Sequence, residues 1–242
     1  AGMSIQGVIF DLDGVLVTTD EYHYQGWKRL AEELGIPFSR EDNHRQRGVS
    51  RMESLEIILE KTTRLYSQAE KHELAERKNR YYVEYLRALT PADALPGAKS
   101  LLDDLKRLGY RLAIGSSSRN TPLIMQKVDL CGYFDAVADG NDISRSKPDP
   151  EVFLLAAARL GLDPVHCVVI EDAEAGVAAA KTAGMRCIGI GDPTLVGAAD
   201  KVVRSVAEMS VAMISCVACG SPQGVTTPSA AMDKKRGMNS KG

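Results

Sequence analysis

Apolar positions recur in two rhythms along the chain. Val8-Ile9-Phe10 is a short unbroken apolar run that leads into Asp11-Leu12-Asp13-Gly14, the pattern of a strand buried on both faces of a parallel sheet. From about Glu21 to Thr90 the rhythm is helical. His23, Trp27, Leu30 and Leu34 recur at three and four residues, and Gly35-Ile36-Pro37 stops that helix. Ser50 and Glu53 have the spacing of a capped helix start, followed by Leu55, Ile58 and Leu59 on one face. A third helix is predicted over 67–89, with Leu74, Lys78, Tyr81, Tyr82, Tyr85 and Leu86 along it. After a Pro- and Gly-containing linker at 90–97, the rhythm alternates. Helices are predicted at 98–108, 121–130, 149–160, 173–183 and 205–214, and strands at 110–115, 134–138, 167–170, 186–190 and 201–203.

Alternation of strand and helix implies right-handed crossovers and an α/β fold, a doubly wound parallel sheet with helices on both faces. The first strand belongs to that sheet, so the all-helical stretch is an insertion. The expected organisation is a core domain of 1–16 and 92–214, a helical domain of 17–91 and a disordered tail of 215–242. Ala1-Gly2 ahead of Met3 is set aside.

Composition narrows the function classes. With 242 residues, 44% of them hydrophobic, the chain can bury a substantial core. A net charge of −2 with scattered Lys and Arg offers no surface for nucleic acid or membrane. No apolar run approaches the length of a membrane span, and no signal peptide opens the chain. Five cysteines, with Cys131, Cys167 and Cys187 in or beside apolar runs, favour buried thiols in a reducing, cytoplasmic compartment. Cys216-Val217-Ala218-Cys219 is a lone Cys-x-x-Cys with no second pair, too little for a metal or redox site.

Ligands of such sheets bind beyond the carboxyl ends of the strands, and those ends carry polar chemistry. The first ends in Asp11 and Asp13; side by side on one face, the two carboxylates resist joint ionisation without a cation. Asp-x-Asp-Gly also suits calcium loops and plain turns. The second strand ends in Ser116-Ser117-Ser118-Arg119-Asn120, an anion pocket or simply a serine cap. Ser146-Lys147-Pro148-Asp149-Pro150 presents Lys147 on a stiffened loop, and the fourth strand ends in Glu171-Asp172. Asp11, Asp13, Glu171 and Asp172 are hard oxygen donors suited to Mg²⁺. A magnesium ion, a lysine and hydroxyls around a nucleophilic carboxylate describe phosphoryl transfer through an aspartyl phosphate, with Asp11 as nucleophile.

In order and spacing, Asp11-Leu12-Asp13-Gly14, Ser116, Lys147-Pro148 and Glu171-Asp172 resemble the four signature segments of the haloacid dehalogenase superfamily. That resemblance implies a Rossmann-like core, with the helical insert as its small cap. Further segments resemble the hexose-phosphate mutases of the superfamily: Glu21-Tyr22-His23 with Trp27, Gly48-Val49-Ser50-Arg51 with Ser54, Arg77-Lys78-Asn79, Thr90-Pro91-Ala92-Asp93 and Ser116 to Asn120. The implied reaction interconverts β-D-glucose 1-phosphate and glucose 6-phosphate through β-glucose 1,6-bisphosphate, in a monomer whose partners are small hexose phosphates. In that reading Ser116, Ser117 and Lys147 hold the transferring phosphate. Arg51, Ser118, Arg119 and Asn120 hold the idle one, with Gly48, Val49, Ser50, Ser54 and Trp27 completing the substrate site. Asp13 is the general acid and base, placed by Thr19, His23 and Lys78. Read without the resemblance, His23 is a packed helix-face residue. Thr18, where the family often has an acid, and Arg119, where a Lys is common, depart from the pattern. Two other functions use the same residues: a sugar-phosphate phosphatase that transfers to water, and a non-catalytic binder.

Overall fold

The computed structural model describes residues 4–47 and 49–219. Gly48 and the predicted tail from 220 onward lie outside the described residues. Six parallel strands form one sheet: β1 (Gly7–Phe10), β2 (Arg111–Gly115), β3 (Ala136–Ala138), β4 (Cys167–Glu171), β5 (Arg186–Ile190) and β6 (Lys201–Val203), in the order β3-β2-β1-β4-β5-β6. Phe10 lies beside Ile114 of β2 and Ile170 of β4. The chain direction of the winding reverses between β1 and β4, so the crevice where such sheets bind ligands opens there.

Strand alternation builds two cores from one sheet. Val8, Phe10, Ile114, Ile170 and Ile188 face one way, against Leu101, Leu102 and Leu105 of α5 (Ala98–Arg107) and Ile124 of α6 (Thr121–Lys127). Ile9, Ala113, Val169 and Cys187 face the other way. They meet Phe153 and Ala156 of α7 (Glu151–Leu160) and Val177 and Ala180 of α8 (Glu174–Thr182). β1 is buried on both faces, as its unbroken apolar run predicted.

The insert contains α1 (Asp20–Leu34), α2 (Arg40–Arg45), α3 (Arg51–Leu59) and α4 (Gln68–Leu86). Trp27, Leu30, Leu55, Ile58, Leu74 and Ala75 form an apolar cluster of their own. The far half of α4 leaves that cluster: Tyr82 and Leu86 pack into the sheet's core with Leu16 and Val17. The two linkers run side by side. Val17 bridges Ala94 antiparallel, and the Leu95 amide donates to the Leu16 carbonyl at 2.8 Å.

Several boundaries differ from the sequence reading. α2 was not anticipated; it is short and polar, buries only Asp42, and rests on a Ser39–Asp42 capping box. α9 (Pro193–Val196), started by the Asp192 side chain, is too short for a periodicity to register. The helix predicted over 205–214 is two pieces. A single 3₁₀ turn at Val206–Glu208 is followed by α10 (Val211–Val217), which starts where the Ser210 hydroxyl accepts from the Met213 amide. α10 extends past the predicted start of the tail. Among the described residues no helix is long and apolar enough to cross a membrane.

The five cysteines are free, with Cys167 and Cys187 buried and Cys131, Cys216 and Cys219 exposed. Burial pushes the Cys167 thiol up to about 11 and the Cys187 thiol up to about 12, and only a thiolate is reactive. A thiol reagent at pH 8 is therefore expected to titrate Cys131, Cys216 and Cys219 in the native protein. Cys167 and Cys187 should follow only in denaturant, as peptide mapping of the labelled sites will report.

Candidate active site

Asp11 follows β1, its amide still paired to the Ile170 carbonyl at 3.0 Å. Glu171 closes β4, and Asp172 begins the turn into α8. The three side chains each offer an oxygen within 4.8 Å of the others. Lys147 reaches in from its loop; its Nζ lies 3.2 Å from Asp11 Oδ1, 2.9 Å from Glu171 Oε2 and 3.0 Å from the Gly115 carbonyl. One ammonium against three carboxylates leaves two negative charges over in a buried place. Burial and the Glu171 charge push Asp11 up to about 8 despite Lys147. Asp172 is raised well above its usual range by burial and by the Asp11 and Glu171 charges. Burial would also raise Glu171, but Lys147 overrides it and holds the group below its ordinary value. Lys147 is itself raised, because the two carboxylates outweigh its burial.

Three buried carboxylates against one ammonium suit a divalent cation, and the space is cut for carboxylates that could hold one. A Cβ on Gly14, where φ is +83°, would lie 1.9 Å from Asp172 Oδ2. A Cβ on Gly176 would lie 2.0 Å from Glu171 Oε2. Both glycines make room for ligand oxygens. The all-oxygen donor set suits magnesium.

Asp13 is the correction to the sequence reading. Its carboxylate is not in the three-carboxylate group. It turns away to accept from the Thr19 amide at 2.8 Å and the Thr19 hydroxyl at 2.6 Å. The local turn decides this: the Gly14 amide donates to the Val17 carbonyl, folding Thr19 back over Asp13. His23 Nε2 stands 3.8 Å from the same carboxylate, and Lys78 Nζ is 2.8 Å from His23 Nδ1. When Lys78 is an ammonium it only donates, and Nδ1 then accepts while Nε2 carries the ring proton toward Asp13. Burial, then the Lys78 and Arg51 charges, hold His23 well below its usual value. Burial and Arg51 do the same to Lys78, which also lies over the Trp27 and Tyr82 rings.

The serine loop after β2 is braced from below. Ser116 Oγ accepts from the Ser118 amide, and Ser118 Oγ from the Asn120 amide. Ser117 Oγ is buried without a hydrogen-bond partner, so this hydroxyl is free to meet a ligand. Arg119 is exposed. Across from the loop, Arg51 donates to Glu76 at 3.1 Å and to Asn79 Oδ1 at 3.2 Å. Asn120 Nδ2 donates to that same Asn79 oxygen at 3.0 Å. Two donors, one from the helical insert and one from the sheet side, converge on a single acceptor.

Other predicted substrate residues fare differently. Trp27 is buried in the insert's own apolar cluster and reaches Lys78 with its ring face. The Ser50 hydroxyl and amide are engaged with Glu53 in the capping box of α3. Ser54 is buried, its carbonyl accepting from Gln46. Val49 is exposed. Gly176, Asn79 and Tyr82 were not singled out as site residues. Gly176 had a signal, a glycine in the first turn of the helix that follows two acids. Tyr82 had none beyond its place on a helix's apolar face.

Sheet order, the acids at the ends of β1 and β4 and the lysine that meets them gather at one edge of the sheet. A profile of the haloacid dehalogenase-like hydrolases matches residues 5–184. The chain belongs to that family. It is 44% identical over 212 residues to the β-phosphoglucomutase of Bacillus subtilis, covering 87% of this chain and 94% of that protein. A phosphorylated carbohydrates phosphatase of Thermotoga maritima is 34% identical over 188 residues, covering 76% and 84%. Among solved structures, a β-phosphoglucomutase from Clostridium difficile superposes with a TM-score of 0.82 at 38% identity, covering 89% of this chain and 97% of that one.

Proposed function

We propose that the protein is a magnesium-dependent β-phosphoglucomutase that interconverts β-D-glucose 1-phosphate and glucose 6-phosphate through β-glucose 1,6-bisphosphate. The observation that carries this reading is the second set of anion donors. Arg51 and Asn120 converge on one point, apart from the Asp11–Lys147 cluster. A substrate phosphorylated at either end needs both places, whereas hydrolysis needs one. The resemblance to the Bacillus subtilis protein points the same way.

In this reading the Asp11 carboxylate attacks phosphorus, a bond to its oxygen forms and the bond to the sugar oxygen breaks. Asp13 gives that oxygen its proton. That step starts from the 1,6-bisphosphate and releases a sugar monophosphate. A sugar monophosphate then presents its free hydroxyl, Asp13 takes that proton, and the oxygen attacks the phosphoaspartate, so that the 1,6-bisphosphate forms as the bond to Asp11 breaks. Lys147, Ser116 and Ser117 hold the transferring phosphate, while Arg51, Ser118, Arg119 and Asn120 hold the idle one through charge-assisted bonds. Magnesium, held by Asp11, Glu171 and Asp172, would offset the negative charge gathered there. Residues 17–91 act as a cap over a core of 1–16 and 92–214, hinged where Val17 meets Ala94. Closure shuts out water so that a sugar hydroxyl competes for the phosphoaspartate. The enzyme acts as a cytoplasmic monomer.

The Thermotoga maritima relative supports a second reading, a sugar-phosphate phosphatase with the same Asp11 and Asp13. One assay separates them. With β-glucose 1-phosphate, Mg²⁺ and a trace of the bisphosphate, glucose 6-phosphate should be the main product; free phosphate as the main product rejects the mutase. Either product should vanish in Asp11→Asn.

A further inference from the structure

Tyr82 stands where α4 passes from the insert's own cluster into the core beneath the sheet. It is 1% exposed. Its ring stacks on His23 with centroids 3.9 Å apart. Its hydroxyl lies 2.8 Å from Thr19 Oγ1, across 63 residues of sequence. Among the described residues Thr19 is that hydroxyl's one partner. Thr19 Oγ1 is in turn 2.6 Å from Asp13 Oδ2.

A hydroxyl carries one hydrogen and two acceptor lone pairs. With Tyr82 donating to Thr19, the Thr19 hydrogen is left to point at Asp13, its only acceptor there. Without Tyr82, nothing donates to Thr19 Oγ1, and the direction of its hydrogen is no longer fixed from that side. The Asp13 carboxylate would then be held less firmly on Thr19 and aimed less well for proton transfer.

We propose that Tyr82 is a positioning residue, which orients Asp13 for proton transfer by fixing the direction of the Thr19 hydroxyl. This rests on the reading of Asp13 as the proton-transfer group. It also makes α4 the element that couples cap to core. The same helix carries Lys78 beside His23 and Asn79 against Asn120, so an α4 out of register would unset both ends of the site.

The test is a double-substitution cycle with Tyr82→Phe and Thr19→Val, both near-isosteric, following kcat and KM for β-glucose 1-phosphate. Tyr82→Phe keeps the ring on His23 and removes one oxygen. It should lower kcat about ten-fold with KM within about two-fold. Thr19→Val should lower kcat at least as much. The double variant should be no worse than Thr19→Val alone, because Tyr82 acts only through that hydroxyl. Magnesium affinity by calorimetry should be unchanged in Tyr82→Phe. A change in kcat under two-fold, a loss confined to KM, or additive losses in the double variant overturns the proposal. Should wild type release phosphate instead of glucose 6-phosphate, the mutase reading fails on its own. The same cycle read on phosphate release still decides Tyr82, since Asp13 protonates the leaving oxygen in either reaction.

Discussion

Lys147→Met is expected to abolish turnover and to destabilise the metal-free protein by about 3–5 kcal/mol, the usual cost of removing one partner of a buried ion pair. Lys147 Nζ contacts both Asp11 and Glu171, and its side chain is only 10% exposed. Methionine fills similar volume, so the loss is one of charge rather than packing. The sign of the pH dependence follows from Asp11. Its folded-state value, about 8, lies above the ordinary 3.8. The folded chain therefore holds a proton that the unfolded chain has released, and stability present below pH 4 falls away as pH rises to about 8. Urea unfolding in chelator should give a wild-type midpoint that drops between pH 5 and pH 8. Without the ammonium, more carboxylates must take up protons, so the drop should be steeper in Lys147→Met. Added Mg²⁺ should recover part of the loss at pH 8 and little at pH 5. A variant as stable as wild type at pH 8 in chelator would rule out Lys147 as the counter-charge.

The second large effect is expected from Gly176→Ala. The new methyl would sit 2.0 Å from both Cδ and Oε2 of Glu171. Glu171 is fully buried and fixed by Lys147 and by the amides of Asp172 and Ala173. Alanine favours the helix over glycine by about 1 kcal/mol, while overpacking costs about 1–3 kcal/mol. The clash outweighs that gain and loosens the Glu171 bond to Lys147, so the fold should survive with a lowered melting temperature. The displaced carboxylate should weaken magnesium at least about ten-fold, with activity recovered in part at high Mg²⁺. Titrating Mg²⁺ by calorimetry and by activity measures this; a wild-type magnesium curve would remove Glu171 from the cation site.

Much of this molecule was readable along the chain. The strand at Val8 to Phe10 is legible because burial on both faces demands an unbroken apolar run. The helices α1, α3 and α4 are legible because one face is apolar at helical spacing. α2 and α9 were not, since four to six polar or mixed residues carry no period; local caps hold them. Asp11, Lys147, Glu171 and Asp172 stood out as polar residues at strand ends, where structure alone has little use for them.

Residue order determined that strands would alternate with helices, that an all-helical stretch would interrupt them, and that four groups of polar residues would fall at strand ends. Whether Asp13 joins the cation group or leaves it was decided at the turn after Gly14, where Thr19 folds back over the carboxylate. The meeting of Arg51 and Asn120 on Asn79 depended on α3, α4 and the serine loop being packed together. Periodicity records which face of an element is buried. It does not record which of two buried acceptors a hydroxyl will choose, and that choice is made only when distant segments are packed within hydrogen-bond reach.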